Sequence, residues 1–514
     1  MKRDQHSLLR PLSAELFLAS LALALLAGCA VGPEYRRPAA VATMPAAYAG
    51  ATNEWKTAAP QAHLPKGAWW EVFGDSELNR LEAEAIEANQ QLQAAVARFA
   101  QARASADVAR SGLFPRVGAA FAATRQRDSA NRPLSNTGEA AGQSFTYENF
   151  TLPFDFNYEL DLWGRVRRQV ESARALAQAD AADLEGVRLS IAAEVAAYYY
   201  TLRALDVENT ALTASIEVYR KSLELTRNRR AGGLVSDLDV AQAQTVLKIA
   251  KAQLPVITLT RAKLEHALAT LTGQPASLFH VPDVPLARES PVIPAELPSA
   301  LLERRPDIAA AEQRMAAANA DIGVAKAVFF PTVRFNGLAG FQSIDAGTLF
   351  NWPSRLWAVG PSLSLPLFEG GRRRADLRGA QAGYEETVAH YRQTVLTAFA
   401  EVEDNLAAQH LLASQYEQEL EALASARKQL EISNNRYRSG LVTYLQVAIA
   451  QSAALERERV VARLRGQRFA AAVALVKSLG GGWQGLQQNQ ASNVTLDNSE
   501  TSHSTNPQAT ESKQ

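Results

Sequence analysis

The stretch FTLPFDFNYELDLWGR, residues 150–165, alternates apolar and polar side chains with a period of two. One parity carries large apolar residues, and the other includes three carboxylates, at Asp155, Glu159 and Asp161. Successive side chains of a β-strand point to opposite faces, so the stretch predicts a strand with one apolar and one acidic face. It leads directly into Arg165 and a long helical pattern, so the fold must join a strand to a helix here.

The N-terminus has the organisation of an export signal. A short basic start precedes an apolar run over residues 16–27, which is shorter than the roughly 20 residues of a bilayer-spanning helix. The run ends in LAGC at residues 26–29, which resembles a bacterial lipobox. We therefore expect residues 1–28 to be a lipoprotein signal peptide and Cys29 to carry a covalent lipid. Cys29 is the only cysteine, which excludes a disulfide or a Cys-rich zinc site within one chain.

Two similar halves joined by a proline-rich linker make up most of the remaining chain. An extended segment over residues 29–74 comes first, and a Gln-, Asn-, Ser- and Thr-rich tail over 483–514 is expected to be disordered. The expected divisions are a first repeat over 75–272 with strands at about 113–126 and 148–163, a linker over 273–298, and a second repeat over 299–482 with strands at about 330–342 and 356–368.

Each half also contains one very long helix. Proline is absent from residues 165–230 and 372–438, and apolar residues in the first of these runs recur at three- and four-residue intervals. At 1.5 Å per residue such a helix is about 100 Å long. A shorter helix, predicted over 236–272 in the first half, follows each long one.

A close internal repeat marks the turns between these helices. NRRAGGLVSDLDVAQAQ at 228–244 recurs as NRYRSGLVTYLQVAIAQ at 435–451, with ten of seventeen positions identical, which indicates a duplication. We expect tip turns over 231–236 and 438–443, with Gly233 and Gly440 ending the descending helices. Ser236 and Thr443 are each expected to start the ascending helix with a capping box.

Four strands per chain with an apolar outer face cannot close on themselves, because the smallest membrane barrels need about eight strands. Other copies of the chain must therefore pair with the edges. Three copies would give twelve strands and a useful lumen. In that barrel the apolar parity of the opening stretch faces lipid, and Asp155, Glu159 and Asp161 face the water-filled interior.

The strand ends carry aromatic and basic residues in both halves. Trp163 and Phe368 stand where interfacial aromatics are expected. Arg165 and Arg372 begin runs of basic residues at helix N-termini, where a cation opposes the helix dipole. Anionic lipid headgroups would offset that cost, and a solvated basic turn is the alternative.

With these features the chain resembles the bacterial outer-membrane factor family, the TolC/OprM/NodT type of efflux lipoprotein. The resemblance covers about residues 29–482 and rests on the lipobox, WWEVFGD at 69–75, ELDLWGR at 159–165, LLERRPDI at 301–308 and the two tip turns. It implies a mostly α-helical fold with a membrane β-barrel. Three chains form a twelve-stranded barrel on a long periplasmic α-helical barrel, and the homotrimer docks onto a periplasmic adaptor and an inner-membrane pump, often of the RND type.

The resemblance also assigns roles to residues of the tips. The segments expected to meet the adaptor are Gly233, Leu234, Val235, Gly440, Leu441 and Val442. Members of the family often close the tip with acidic residues on the ascending helices, and only the first repeat carries them here. The gate candidates are Asp237, Asp239, Tyr444, Arg227, Arg229 and Arg230.

Several functions are consistent with this organisation. The leading one is a passive exit duct for drugs or other toxic small molecules; alternatives are a duct for type I protein secretion or for heavy metals, and a periplasmic coiled-coil tether without a pore. The alternating strands count against the tether. The sequence has no H-E-x-x-H site, G-x-S-x-G elbow or phosphate-binding loop, so an enzyme is not expected, nor a cofactor or bound metal beyond the lipid on Cys29. A formal net charge of zero argues against a nucleic-acid partner.

Overall fold

The computed structural model describes residues 30–40, 48, 67–131, 144–284, 286, 289–293 and 305–481. Cys29, the signal peptide, the tail and most of the extended segment lie outside these ranges. Contacts divide the chain into two units. Unit 1 holds residues 100–177, 313–389 and the described residues up to Pro38, and unit 2 holds the other described residues. No helix within the described ranges is both long and apolar enough to cross a membrane.

Most of the described chain is helical, and the helices of the two halves match in length. The helix predicted over 165–230 runs from Arg165 to Ala231, and its counterpart runs from Arg372 to Arg438; each has 67 residues. The shorter helices that follow have 35 residues each. The helices are α1 (Ser76–Ala88), α2 (Gln90–Ser111), α3 (Arg165–Ala231), α4 (Asp237–Leu271), α5 (Pro306–Ala327), α6 (Arg372–Arg438) and α7 (Tyr444–Ser478).

Unit 1 contains one antiparallel sheet in the order β1-β3-β4-β5, with β2 also paired to β3. In the central register, Phe156 lies between Val117 and Gly337, and Asp155 lies between Gly118 and Leu338. Because partners across an antiparallel pair share a face, this register aligns the alternating pattern of every strand. The strands are β1 (Arg116–Ala119), β2 (Ala122–Arg127), β3 (Thr146–Leu160), β4 (Thr332–Ser343) and β5 (Arg355–Ser364).

The two faces of the sheet differ strongly in polarity. Phe154, Phe156, Phe335, Val359 and Trp357 share one face with Val117, and they form a shallow apolar hollow of about 400 Å³. The opposite face carries Asp155, Asn157, Glu159, Arg334 and Asn336. Except for the partly buried Phe156, the apolar side chains that form this hollow are exposed in one chain, so this surface requires an apolar environment.

The strand predicted over about 113–126 is interrupted in the structure. β1 and β2 follow the same register along β3, and the residues between them lie opposite Pro153. The Ala120 amide still donates to the Pro153 carbonyl at 3.1 Å. Proline has no amide hydrogen to return that bond, so the ladder breaks into two short strands.

The second returning strand, predicted over about 356–368, ends early. β5 stops at Ser364, two residues before Pro366, and residues 365–371 form no regular element. Phe368 therefore lies beyond the sheet, where its side chain is 90% exposed.

Aromatic packing organises the core of unit 2. The WWEVFGD segment forms a short 3₁₀ turn over Trp69–Phe73, and Phe73 packs against Tyr200 and Phe469, which stack with ring centroids 4.2 Å apart. Asp75 caps α1 by accepting from the amides of Glu77 and Leu78. The other oxygen of Asp75 accepts from the Tyr199 hydroxyl at 2.8 Å, which links α1 to α3.

The LLERRPDI segment contributes a buried cation to unit 2. Arg305 donates to Glu401 on α6 at 2.7 Å and to the Ser478 carbonyl at the end of α7 at 3.0 Å. It also forms a bidentate pair with Asp307. These bonds satisfy the buried guanidinium and fasten the start of α5 to both helices of the second repeat.

Candidate functional site

The two tip turns have the same backbone. Gly233 and Gly440 have φ of 75° and 74°, the left-handed region that favours glycine. In each turn the glycine amide and the following leucine amide bond back to the descending helix, the pattern of a Schellman motif. The side chains of Leu234 and Leu441 project from these turns and are each 71% exposed.

An ion pair spans the first tip turn. Arg230, at the end of α3, donates to both oxygens of Asp237 at 2.7 and 2.8 Å. The hydrogen bond and charge of Arg230 lower the pKa of Asp237 below its ordinary value. Asp237 remains 82% exposed, so solvent screens the pair and limits its stabilising effect.

Two tyrosines replace this ion pair in the second hairpin. The repeat that starts at residue 228 starts again at 435, so Arg230 corresponds to Tyr437 and Asp237 to Tyr444. The two rings meet edge to face with centroids 5.5 Å apart. Tyr444 is 0% exposed, and burial raises its pKa to about 12. The structure therefore contradicts the prediction of Tyr444 as a gate residue, because a side chain buried within one chain cannot line a pore.

Asp239 joins the two hairpins. One oxygen accepts from the amide and hydroxyl of Ser236, which completes the capping box predicted for α4. The other oxygen accepts from the Tyr444 amide at 3.2 Å. The second capping box, predicted at Thr443, is wrong, because the Thr443 side chain makes no capping bond. The first repeat supplies the acceptor that α7 lacks.

The pKa of Asp239 reflects these contacts. Partial burial acts to raise the pKa, but the hydrogen bonds from Ser236 and Tyr444 and the charge of Arg229 outweigh it, so the pKa lies below its ordinary value. Asp239 is therefore ionised at neutral pH and suited to cap two helix N-termini at once.

The three candidate arginines of the first repeat have different surroundings. Arg229 donates to the Tyr437 carbonyl at 2.6 Å, and its guanidinium lies 4.8 Å from the centre of the Tyr437 ring. It thus caps the C-terminus of α6. Arg230 pairs with Asp237 as described. Arg227 is exposed and forms no ion pair with any described residue.

A small polar network lies behind the tip turns. Gln451 on α7 is fully buried, accepts from the Tyr444 hydroxyl at 3.0 Å and donates to Ser222 at 3.1 Å. The Tyr219 hydroxyl donates to the Gln451 carbonyl at 2.9 Å. The sequence did not predict this network. The signal that could have indicated it is the spacing of the tyrosines from the repeated glycines: Tyr219 lies 14 residues before Gly233, and Tyr444 lies four residues after Gly440. The network ties α3 and α7 together just behind the tips.

The acids predicted to face a lumen divide into two groups. Asp155 is exposed on the polar face of β3. Glu159 shares that face but pairs with Arg165 at 2.8 Å and lies 3.6 Å from Arg334. Asp161 stands beyond the end of β3 and accepts from the amides of Val166 and Arg167, which caps α3. The prediction that Asp161 is a lumen-facing strand residue is wrong. The bend at Gly164, with φ of 78°, turns Asp161 towards the free N-terminus of α3.

The two strand–helix junctions differ, although the sequence predicts them to be alike. At the first, Glu159 and Asp161 offset the charges of Arg165 and Arg167 within the chain. Trp163 is partly buried there, stacks on Phe330 at 4.8 Å and donates to the Pro331 carbonyl. At the second junction, Phe368 and Arg372 are exposed, and Arg372 reaches Asp376 only at 3.7 Å. Lipid headgroups are therefore not needed to offset the charge of Arg165 at the N-terminus of α3. For Arg372, at the N-terminus of α6, they remain the proposed explanation.

No group of three or more His, Cys, Asp or Glu side chains in the described part of the chain could hold a metal ion. The described polar clusters instead connect helices to one another or cap their ends. This arrangement suits a docking site, since it fixes backbone positions and leaves exposed side chains at the turns.

Comparison with known proteins places this geometry in context. A family model described as outer membrane efflux protein matches residues 81–274 and 297–481. Outer membrane protein OprJ of Pseudomonas aeruginosa is 36% identical over 477 residues, covering 91% of this chain and 96% of OprJ. Toluene efflux pump outer membrane protein TtgF of Pseudomonas putida is 34% identical over 475 residues, covering 91% of this chain and 97% of TtgF.

A solved structure is similar along most of the chain. The outer-membrane channel OprN matches with a TM-score of 0.80 and 32% sequence identity, covering 89% of this chain and 100% of the OprN chain. The similarity includes both repeats and is not confined to the strands or the helices.

Proposed function

The chain belongs to the outer membrane efflux protein family, and on that basis we propose that it forms the exit duct through which a tripartite pump releases toxic small molecules. It is an outer-membrane component of an efflux system. The observation that carries the proposal is the sheet of unit 1, which has an exposed apolar face, a polar face and two edges that pair with no described strand.

The open edges support a homotrimer. Unpaired strand edges and exposed apolar faces are unstable in water and in lipid, so β5 of one copy should pair with β1 and β2 of the next. Three copies close a twelve-stranded barrel on a helical barrel that extends into the periplasm. The matched lengths of α3 with α6, and of α4 with α7, support duplication of one helix–strand–strand–helix–helix unit.

Contacts of the residues after Cys29 support a lipid anchor. The Val31 amide donates to the Trp163 carbonyl at 3.0 Å, and a side chain on Gly164 would come within 2.8 Å of Ala30. A lipid on the preceding residue would therefore start beside the strand–helix junction, at the expected membrane boundary. Mass spectrometry should detect acyl groups on Cys29; an unmodified N-terminus elsewhere would refute the anchor.

The tip turns are the proposed docking surface for a periplasmic adaptor, which in turn meets an inner-membrane pump of the RND type. Leu234 and Leu441 give each turn an exposed apolar contact, while Gly233 and Gly440 fix its backbone. The partly buried Val235 and Val442 anchor the turns to the helices behind them. In unit 1, the exposed Phe368 and Arg372 would lie among lipid headgroups.

Toxic small molecules are the proposed cargo. The relative TtgF is named a toluene efflux pump outer membrane protein, and the alignment with this chain covers 97% of TtgF. To test the proposal, the gene would be deleted and the strain challenged with solvents, dyes and antibiotics, and the purified protein would be placed in planar bilayers. We expect sensitivity that the intact gene reverses, and a pore from a trimer. A soluble monomer without conductance, or unchanged resistance in the deletion strain, would contradict the exit-duct function.

Asp239 should hold the tip closed. Removal of an N-cap acceptor costs about 1 kcal/mol, so Asp239→Ala should raise the resting conductance roughly fivefold. Because its pKa is lowered in the folded tip, the stabilising effect is present above the ordinary pKa and lost as pH falls through the lowered value. The wild type should therefore begin to open only when the pH falls below the ordinary Asp pKa of about 4, whereas Asp239→Ala should show little further change.

The matched control for this experiment is Asp237→Ala. It removes a carboxylate two residues away whose ion pair is exposed, so its effect on conductance should be small. Equal conductance changes in the two variants would point to general charge repulsion at the mouth instead of the Asp239 bridge.

A further inference from the structure

The apolar face of the sheet in unit 1 carries charge in one half only. The strand registers place Arg125 and Arg127 of β2, Glu148 of β3 and Arg355 of β5 on this face, and the strands carry no other charge there. All four lie in the half of the sheet away from the start of α3. Arg355 donates to the Trp352 carbonyl at 3.0 Å and lies over the Trp352 ring, so it is held within its own chain.

The opposite face of the sheet is uncharged beside the two β2 arginines. Within residues 122–127 and 146–151 that face presents only small, hydroxyl and amide side chains, among them Thr124, Gln126 and Asn149. Arginines that served only to hydrate the rim of a barrel could stand on either face. Their restriction to the apolar face points to a contact on the side of the membrane and not of the channel.

Arg125 and Arg127 lie just beyond the apolar band of this face. On β3 the band runs from Phe150 to Leu160, about 34 Å along the strand and about 26 Å along a barrel axis at a tilt of about 40°. The apolar band of a membrane barrel is about 25 Å tall. Arg125 is paired with Glu148, one step beyond Phe150 on the same face, and Arg127 stands one step further. In the proposed barrel both arginines therefore lie at headgroup depth in the leaflet away from the periplasm.

The two guanidinium groups are only weakly engaged by their own chain. Arg125 is 75% exposed, and its ion pair with Glu148 is long, at 4.0 Å. Arg127 is exposed and donates to the Ser144 hydroxyl at 2.9 Å. A guanidinium has five N–H donors, so both groups retain donors for a ligand.

The chemistry of this surface matches a phosphorylated lipid. Alternate residues of a strand are about 7 Å apart, and a guanidinium binds phosphate oxygens in bidentate geometry, so Arg125 and Arg127 can hold two phosphates or two sides of one. On the same face Phe150, Leu152 and Phe154 lead from the arginines towards the apolar hollow. Phosphates and acyl chains of one lipid thus both find matching side chains. The phosphorylated lipid of the outer leaflet of an outer membrane is a glycolipid.

We propose that Arg125 and Arg127 bind the phosphates of an outer-leaflet glycolipid, whose acyl chains cover the apolar face of the sheet. This inference rests on the proposed trimeric barrel and adds a lipid site outside the export path. Three copies give three such sites around the barrel. The bound phosphates offset the arginine charges and fix the depth of the barrel in the membrane.

The experiment measures the binding of diphosphorylated lipid A, a glycolipid of this class, to the detergent-solubilised trimer. Replacing Arg125 and Arg127 together by glutamine removes both charges and keeps polar side chains, so the dissociation constant should rise at least about tenfold. Arg116→Gln is the matched control. It makes the same change at an exposed position on the channel-facing side of β1, and it should leave the dissociation constant unchanged.

Headgroup and salt test the ligand on the wild-type protein alone. Removal of both phosphates from lipid A should weaken its binding at least about tenfold, and binding of the diphosphorylated form should weaken as salt rises from about 0.1 to 1 M. Phosphatidylglycerol is compared as an anionic lipid with one phosphate and no sugar, and it should bind more weakly. Equal binding of phosphatidylglycerol would assign the surface to any anionic lipid and refute the glycolipid site, as would equal binding of dephosphorylated lipid A.

Failure of this site can be separated from failure of the duct. Both side chains are exposed, so the glutamine variant should form the trimer and conduct in planar bilayers like the wild type. A conducting wild-type trimer whose affinity for lipid A is unchanged in that variant would overturn the lipid site and leave the duct intact. A wild-type chain that neither forms a trimer nor conducts would overturn the duct, and the lipid-facing surface with it.

Discussion

Gly340→Ala should prevent the sheet from assembling and leave little trimer in the outer membrane. A Cβ at this position would lie 2.2 Å from the Leu152 carbonyl oxygen and 2.8 Å from the Cα of Pro153. Both are backbone atoms of the neighbouring strand, so no side-chain rotation relieves the contact. Overpacking of this kind costs about 2–3 kcal/mol or more, and the cost falls on β3, which pairs with three other strands.

Two other glycines in the same sheet are controls for this substitution. A Cβ on Gly360 would meet no atom within 4 Å, and one on Gly337 would make an ordinary contact of 3.4 Å with Phe156. Alanine at either position should leave the yield of trimer and its thermal unfolding midpoint near those of the wild type. Normal assembly of Gly340→Ala would mean that β3 and β4 are farther apart in the barrel than in this chain.

Gly233→Val and Gly440→Val should abolish efflux while the trimer remains folded. Both glycines have positive φ, where a β-branched residue costs about 1–3 kcal/mol. The turns are exposed and at the end of the hairpins, so that cost should distort the docking surface without unfolding the core. The measurements are drug susceptibility, which should equal that of the deletion strain, and binding of the adaptor to the purified trimer.

Asparagine substitutions test whether backbone strain, and not the loss of glycine itself, causes the defect of the valine variants. Asn tolerates the left-handed region, so Gly233→Asn and Gly440→Asn should keep most activity. Gly232 is adjacent but is not in that region, and Gly232→Ala should be silent. Full resistance in both valine variants would exclude the tip turns as the docking surface.

The long helices could be predicted within one residue, because their boundaries are set by local chemistry. Gly233 and Gly440 end the descending helices, and the proline-free runs between Arg165 and Ala231, or Arg372 and Arg438, leave no internal stop. The alternation of residues 150–160 likewise predicts β3, since one apolar and one polar face allow a single register.

The features missed depend on contacts between residues far apart in the sequence. Asp239 and Tyr444 are 205 positions apart, and no local pattern indicates that the acid of one hairpin caps the helix of the other. The alternation continues through Asp161 and predicts a strand position for it, but capping of α3 outweighs the pattern. The burial of Tyr444 could have been suspected, because a tyrosine replacing an acid in a repeat indicates a different environment.

The equal helix lengths restrict which insertions the helices of this protein can tolerate. One residue inserted into α6 alone would shift everything after it by about 1.5 Å and rotate it by about 100°. The ring of Tyr437 would no longer contact Tyr444, and Arg229 would no longer reach the Tyr437 carbonyl. Lengthening is therefore tolerable only as coordinated insertions of about seven residues, two full turns, in both descending and both ascending helices. We expect natural length variants to differ by such matched blocks, with any single insertion confined to the loops.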